Sequence, residues 1–261
     1  MACSLYGLKI GFRVSDPSAL ARVLALLPPA CKQEPFELVD RLYSLVLGGT
    51  DRSRPAIKRF HIAYADGFRL SRSLELERTL EDLDSDLRRF VAFSAKDVLF
   101  VHAGVVAWRG RAIVLPGASF TGKSSLVAGL VHSGAIYCSD EYAVVDSAGL
   151  VHAYRNALSL RSSNRGPSKR VSAEALGATD TMVPLPIGLI AVTQYRKGAR
   201  WKPRALSPGG ALMALVSNTI AIREHPQPTL SILARAVIRA TALEGERGEA
   251  DIVAPALLSA L

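Results

Sequence analysis

Apolar and polar positions alternate with recognisable periods along most of the chain. At 73–93 leucines and a valine recur every three or four residues, which predicts an amphipathic helix. The segments 97–108 and 184–195 are almost continuously apolar, which predicts buried strands. Alternating residues at 58–64, followed by Asp66-Gly67, predict a β-hairpin. Helical and strand patterns therefore both contribute to the fold.

The remaining periodic segments are shorter. The pattern predicts strands at 5–14, 112–115, 135–138, 142–146, 150–154 and 158–161, and helices at 18–27, 207–219, 229–241 and 251–261. The segment 37–47 fits a helix or a strand, although its last residues favour a strand. The polar segment 162–170 predicts a mobile loop. The expected fold class is α/β, with a small α+β lobe at 1–95 and a larger domain at 96–261.

The strand predicted at 112–115 leads into a glycine-rich segment that fits G-x-x-x-x-G-K-[ST], and a predicted helix follows. Its two glycines allow backbone N–H groups to turn inward, and the positive end of the helix points at the same place. A plain turn between strand and helix is the simpler alternative, but this context favours a phosphate-binding loop. The predicted nucleotide-binding residues are Gly117, Ala118, Ser119, Phe120, Thr121, Gly122, Lys123, Ser124 and Ser125.

Two side chains of this loop have specific expected roles. Lys123 can reach the β- and γ-phosphates of ATP, and the hydroxyl of Ser124 can bind Mg²⁺. Asp140 and Glu141 follow the next predicted strand, 135–138, whose end would open onto the phosphate site. Asp140 is suited to hold Mg²⁺ and Glu141 to accept a proton from an attacking hydroxyl, although the sequence does not decide which carboxylate does which. Ordinary turn acids remain the alternative for both.

For other polar residues the sequence gives weaker indications of a catalytic or metal-binding role. His102 interrupts an apolar strand, where a histidine is more often a core residue than a catalytic one. Arg161 ends a predicted strand and fits either a surface position or the stabilisation of a transferring phosphate. The first half of the helix predicted at 73–93 is rich in acids that mostly point away from its apolar stripe, so we expect a solvated face rather than a metal cluster. These acids are Glu75, Glu77, Glu81, Asp82, Asp84 and Asp86.

Composition narrows the class of protein. The formal charge of +9 would suit nucleic acid, but the Lys and Arg residues are scattered, so a generally basic surface is the preferred interpretation. The three cysteines are far apart in the sequence and odd in number, which predicts a reducing, cytoplasmic location. The apolar runs are too short to cross a membrane, and no signal-peptide pattern begins the chain.

Three segments together resemble the C-terminal catalytic domain of HPr kinase/phosphorylase. They are the strand residues His102-Ala-Gly-Val-Val, the loop GASFTGKSSL and the tetrapeptide CSDE at 138–141. The resemblance covers about residues 97–161, with weaker likeness to about residue 220. The chain looks like the stand-alone HPr-kinase-like serine kinases, some of whose relatives modify peptides made in natural-product pathways. It implies a phosphate-loop kinase fold of the HPr kinase/phosphoenolpyruvate carboxykinase type, dependence on ATP and Mg²⁺, and assembly as a homo-oligomer.

The resemblance also assigns residues. His102 matches the family's active-site histidine, Lys123 and Ser124 match the loop lysine and the Mg²⁺ ligand, and Asp140 and Glu141 match the acidic pair that includes the catalytic base.

The chain departs from the family pattern at several positions. Ala118 stands where the loop often has Asp, and Ala103 replaces a glycine. The later E-I-R-G segment appears as Leu158-Ser159-Leu160-Arg161, which keeps Arg161 and loses the acid. The lost acid weakens the expected second Mg²⁺ contact and argues against the reverse, phosphorolytic activity. The N-terminal lobe does not match the regulatory domain of the classical enzyme, so the acceptor need not be HPr.

The leading hypothesis is an ATP- and Mg²⁺-dependent kinase that phosphorylates a hydroxyl, with serine favoured, on a protein, peptide or small molecule. A non-transferring ATP-binding regulatory module is the first alternative, and a nucleic-acid-binding protein is the second. The sequence has no N-K-x-D base-reading motif and no LSGGQ-like stretch, which argues against a translation-type GTPase and an ABC ATPase.

Overall fold

A computed structural model describes residues 1–28, 30–48, 59–118, 121–154, 156, 158–161, 168–176 and 183–261. The fold is mixed α/β, and the chain divides into two units, 1–97 and 98–261. Each unit is built on a sheet that combines parallel and antiparallel strands. None of the helices within these described ranges is long and apolar enough to span a bilayer.

The first unit has a six-stranded sheet in the order β3-β1-β2-β4-β5-β6, in which only β2 and β4 pair in parallel. Its elements are β1 (Ala2–Leu5), β2 (Leu8–Val14), α1 (Leu20–Leu24), β3 (Lys32–Gln33), β4 (Arg41–Val46), β5 (His61–Ala65), β6 (Phe68–Ser73) and α2 (Leu76–Ser94).

Most predictions for this unit are confirmed, with corrections at its start. The long helix and the hairpin at Asp66-Gly67 are present, and 37–47 contains a strand. The single strand predicted at 5–14 is wrong: Tyr6 and Gly7 have φ values of 49° and 78°, so the chain turns between β1 and β2. The helix predicted at 18–27 is shortened to α1, preceded by one 3₁₀ turn.

The prediction of a solvated acidic face on α2 is only partly correct. Asp84 is buried and forms an ion pair of 2.6 Å with Arg88 one turn later. The carboxylate of Asp86 accepts hydrogen bonds of 3.0 Å from Arg41 and from the hydroxyl of Tyr43 in the sheet. These acids border the apolar stripe and therefore reach basic and polar partners. Over the described part of the chain, no group of three or more His, Cys, Asp or Glu side chains is arranged to hold a metal ion.

The second unit carries the phosphate-loop motif. Its strands are β7 (Val98–Trp108), β8 (Arg111–Pro116), β9 (Ile136–Ser139), β10 (Tyr142–Asp146), β11 (Val151–His152), β12 (Leu158–Arg161), β13 (Ser168–Val171), β14 (Ile187–Tyr195), β15 (Arg204–Ala205) and β16 (Thr241–Arg247). Its helices are α3 (Lys123–His132), α4 (Pro208–Val216), α5 (Pro226–Val237) and α6 (Ala250–Ser259).

The main sheet of this unit has the order β11-β10-β7-β8-β14-β16-β15, and β9 also pairs with β7. The central strands β8, β14 and β16 are parallel to one another. Helices α4 and α5 pack on one face, and α3 and α6 pack on the other. Burial on both faces explains why β7 and the first half of β14 are almost continuously apolar.

Two predictions in this unit need correction. Residues 168–170 are not loop, because β13 forms antiparallel backbone hydrogen bonds with β12 despite its polar composition. Residues 162–167 of the predicted mobile loop lie outside the described residues. The helix predicted at 229–241 ends at Val237, and β16 follows it. The helix predicted at 207–219 is confirmed in α4, whose N-cap Ser207 accepts a hydrogen bond from the N–H of Gly210.

Candidate functional site

The glycine-rich segment lies between the end of β8 and the first turn of α3. Gly122 is the N-cap of α3 with φ 85°, a left-handed conformation that favours glycine. Lys123 is 8% exposed, and its Nζ donates hydrogen bonds to the carbonyls of Gly117 (2.6 Å) and Ala118 (2.8 Å). The lysine therefore has its charge directed at the start of the segment.

The rest of the predicted loop is described only in part. Thr121 donates a hydrogen bond of 3.0 Å from its hydroxyl to the Ala118 carbonyl, which closes the segment on itself. Ser125 is exposed in the first turn of α3. Ser119 and Phe120 lie outside the described residues.

Ser124 and Asp140 meet at the entrance to α3. The hydroxyl of Ser124 donates a hydrogen bond of 2.9 Å to Oδ2 of Asp140, which follows the last residue of β9. The structure thus brings together the two oxygen-bearing side chains that the sequence proposes as Mg²⁺ ligands, although they are 16 positions apart.

Asn156 orders the acidic pair and was not identified from the sequence. It is 9% exposed, and its Oδ1 accepts a 3.5 Å hydrogen bond from the backbone N–H of Asp140. Its Nδ2 donates a 3.4 Å hydrogen bond to Oε2 of Glu141. The hydroxyl of Tyr137 donates to the Asn156 carbonyl at 2.8 Å and so links this residue to β9. Asn156 belongs to no recognisable motif, so no sequence signal points to it.

His102 lies in β7 beside the start of the loop. Its backbone carbonyl accepts a 3.3 Å hydrogen bond from the N–H of Gly117, and its own N–H donates to the Asn218 carbonyl at 2.7 Å. Burial, and secondarily the positive charge of Lys123, lower the pKa of His102 to about 4. The imidazole is therefore neutral at pH 7, so it can orient a ligand through a hydrogen bond without adding positive charge.

The charges of Lys123 and the acidic pair act on one another. Burial lowers the pKa of Lys123, while the nearby carboxylates of Asp140 and Glu141 oppose this shift because they stabilise the ammonium form. Four of the predicted catalytic residues, at positions 102, 123, 140 and 141, thus lie around the glycine-rich segment. For Arg161 the structure describes only the backbone, at the end of β12.

Arg247 is a second residue that sequence reasoning missed. It is the last residue of β16, is 1% exposed, and donates hydrogen bonds from Nη2 to the Gly122 carbonyl (2.6 Å) and from Nη1 to the Gly248 carbonyl (2.9 Å). Its guanidinium also lies 5.5 Å from the ring centroid of Tyr195. A Cβ on Gly122 would lie 2.5 Å from Nη2, so the missing side chain of this glycine makes room for the arginine.

A scan of protein-family models finds no match to this chain, and a search of curated proteins finds none either. The chemistry of the site therefore carries the functional argument. The site combines a lysine at a helix N-terminus, a hydroxyl paired with a carboxylate, a second carboxylate and a neutral imidazole.

Proposed function

We propose that the chain is an ATP- and Mg²⁺-dependent kinase that transfers the γ-phosphate to a hydroxyl group, with serine of a peptide or protein or a small-molecule alcohol as acceptor. The observation that carries this proposal is the pairing of Ser124 with Asp140 next to Lys123, at the N-terminus of a helix that follows a parallel strand. A helix N-terminus with a lysine attracts phosphates, and the neighbouring carboxylates supply what phosphoryl transfer further requires. The resemblance to HPr-kinase-like enzymes supports the same function.

The residues present fit Mg²⁺. Magnesium prefers oxygen ligands and is usually held by one or two protein groups together with phosphates and water, so it does not need a cluster of carboxylates. Ser124 and Asp140 provide a hydroxyl and a carboxylate oxygen that already lie 2.9 Å apart. When bound there, Mg²⁺ would neutralise charge on the β- and γ-phosphates.

The other residues have roles in the transfer itself. The acceptor oxygen forms a bond to the γ-phosphorus, the bond from that phosphorus to the bridging oxygen breaks, and ADP leaves with the electron pair. Glu141 or Asp140 takes the acceptor proton. Lys123 and the loop N–H groups hold the β- and γ-phosphates, and His102 and Arg161 orient or stabilise the transferring group.

The role of the carboxylates is tested with Asp140→Asn and Glu141→Gln. We expect each variant to bind ATP, and the variant that lacks the base to lose on the order of 100-fold or more in transfer rate, since general base catalysis contributes about that much. Asp251→Asn on the exposed start of α6 is the matched control. Full transfer by both site variants would show that this assignment is wrong.

A non-transferring ATP-binding module is the second candidate, and Ser159 favours it because the related enzymes carry an acid at this position. That candidate predicts tight ATP binding without a phosphorylated product.

A further inference from the structure

A cavity of about 670 Å³ adjoins the start of the phosphate loop. It lies at the carboxyl ends of the parallel strands β8, β14 and β16 and is lined on another side by α4. Loop residues Gly117 and Thr121 form one side of it. Its volume is typical of small-molecule sites, and the carboxyl ends of parallel strands are where open α/β sheets bind nucleotides.

Three consecutive residues of β16, Glu244, Gly245 and Glu246, line this cavity. A Cβ on Gly245 would come within 3.2 Å of the ring of Trp201, so the side chains of Glu244 and Glu246 leave the opposite face of the strand. Val192 and Gln194 of β14 are their register partners and line the same cavity. Each carboxylate is also paired with an arginine, Glu244 with Arg204 and Glu246 with Arg196.

The lining suits a nucleoside better than a phosphate chain. The charges of Glu244 and Glu246 are balanced by Arg204 and Arg196, so these pairs give the cavity no net positive charge to attract phosphates. In dinucleotide-binding folds a carboxylate at the end of a parallel strand accepts a hydrogen bond from a ribose hydroxyl. Val192, Leu206 and Met213 supply aliphatic surface for a planar base. A cavity that is mainly apolar with a few oriented polar groups is the usual form of such a site.

The position relative to the acidic pair agrees with this assignment. Within the sheet, β8 separates β14 and β16 on one side from β7 and its neighbour β9 on the other. Asp140 and Glu141 follow β9 and therefore lie across β8 from the strands β14 and β16 that line the cavity, while Asn218, whose carbonyl accepts a hydrogen bond from the N–H of His102, lines the cavity on the side of β7. An acceptor hydroxyl must approach the base from the side of β9. The side of β14 and β16 is then available for the nucleoside end of ATP.

We propose that this cavity binds the nucleoside part of the triphosphate, with the base against the aliphatic side chains of α4 and β14 and the ribose near the carboxylates of β16. This inference rests on the proposed binding of ATP at the loop. It does not depend on whether the phosphate is transferred.

The test compares ATP with inorganic tripolyphosphate, which has the phosphate chain and no nucleoside, by calorimetry with Mg²⁺ present. Ala214 of α4 lines the cavity, and Ala214→Leu would occupy part of it. We expect this variant to bind ATP on the order of tenfold more weakly, because overfilling a confined space costs about that much in affinity, and to bind tripolyphosphate as the wild type does. Ala256→Leu, on the exposed side of α6, is the matched control.

A second variant tests the proposal if Ala214→Leu fails to fold. Met213 lines the cavity and is 57% exposed, so Met213→Ala should fold normally and weaken ATP binding about threefold without affecting tripolyphosphate. Equal ATP affinity in wild type and both variants would overturn the proposal. Unchanged ATP affinity with reduced transfer would also overturn it, since the cavity would then hold the acceptor. If the wild type bound neither ligand, the proposed function itself would fail.

Discussion

At the scale of single residues, the least expected feature is the buried guanidinium of Arg247. Its hydrogen bonds go to two backbone carbonyls, and burial lowers its pKa. A buried cation is costly unless negative charge or polar groups compensate it. The carbonyl of Gly122 belongs to the turn that starts α3, so Arg247 fixes the loop conformation and adds positive charge close to the proposed phosphate site.

Arg247→Met should therefore weaken ATP binding on the order of tenfold, because the loop loses its anchor and the site loses a charge. Arg235→Met is the matched control, since Arg235 also donates to a backbone carbonyl, that of Ser147, but on the exposed surface of α5. Calorimetric titration with ATP measures both. Equal affinity in the two variants would show that Arg247 has only a structural role.

The depressed pKa of His102 predicts a pH dependence of stability. In the folded protein this pKa is about 4, against an ordinary value of 6.5, so between these limits the unfolded chain binds a proton that the folded chain does not. The free energy of unfolding should therefore fall as the pH drops from 6.5 towards 4. Above pH 6.5 the contribution of His102 to this free energy is constant.

Urea unfolding of wild type and His102→Gln across this pH range measures the effect. The variant should show a shallower loss of stability on acidification, while the exposed His225→Gln should follow the wild type. Parallel curves for wild type and His102→Gln would contradict the assignment of His102 as a neutral imidazole.

At the scale of elements, the contact between α3 and β7 determines where the loop lies. Gly104 in β7 faces α3, and a Cβ built on it would lie 2.6 Å from Cγ2 of Val127. The absent side chain lets the helix approach the sheet closely.

Gly104→Ala should lower the free energy of unfolding by about 1–3 kcal/mol, as overpacking of a tight core does. Gly209→Ala in the first turn of α4 is the control, because only Oγ of Ser207, at 3.9 Å, lies near the new methyl group. Chemical denaturation of both variants provides the comparison. An unchanged stability of Gly104→Ala would mean that α3 can shift outward.

Elements with a clear hydrophobic period or a motif could be predicted from the sequence. Elements that are strands only because they pair with a neighbouring strand could not. The helix α2, the strand β7 and the segment from β8 to α3 have clear periods or motifs. By contrast, β16 contains Glu244-Gly-Glu246 near its end and has no strand pattern there; parallel pairing with β14 makes it a strand. Arg247 was missed for this reason, since its role exists only once β16 lies beside the loop.

At the scale of the whole molecule, the site is assembled within the unit 98–261 from distant parts of the sequence. The contributions come from β7 at His102, the loop before α3, the end of β9 and the end of β16. The motif identified the loop, and the order of the strands brings the other residues to it. The net charge of +9 is a property of the whole chain and favours anionic ligands in general, so it does not distinguish a triphosphate from nucleic acid.

The most direct test of the central claim uses γ-labelled ATP with Mg²⁺ and an extract of the source cell, separated by size into macromolecules, peptides and metabolites. The wild type is run beside Lys123→Ala, in which the loop loses the charge that we propose holds the β- and γ-phosphates. We predict label in one fraction with the wild type and none with the variant, which would also identify the class of acceptor. If ATP binds but no fraction is labelled, the kinase proposal is contradicted and the nucleotide-binding module replaces it.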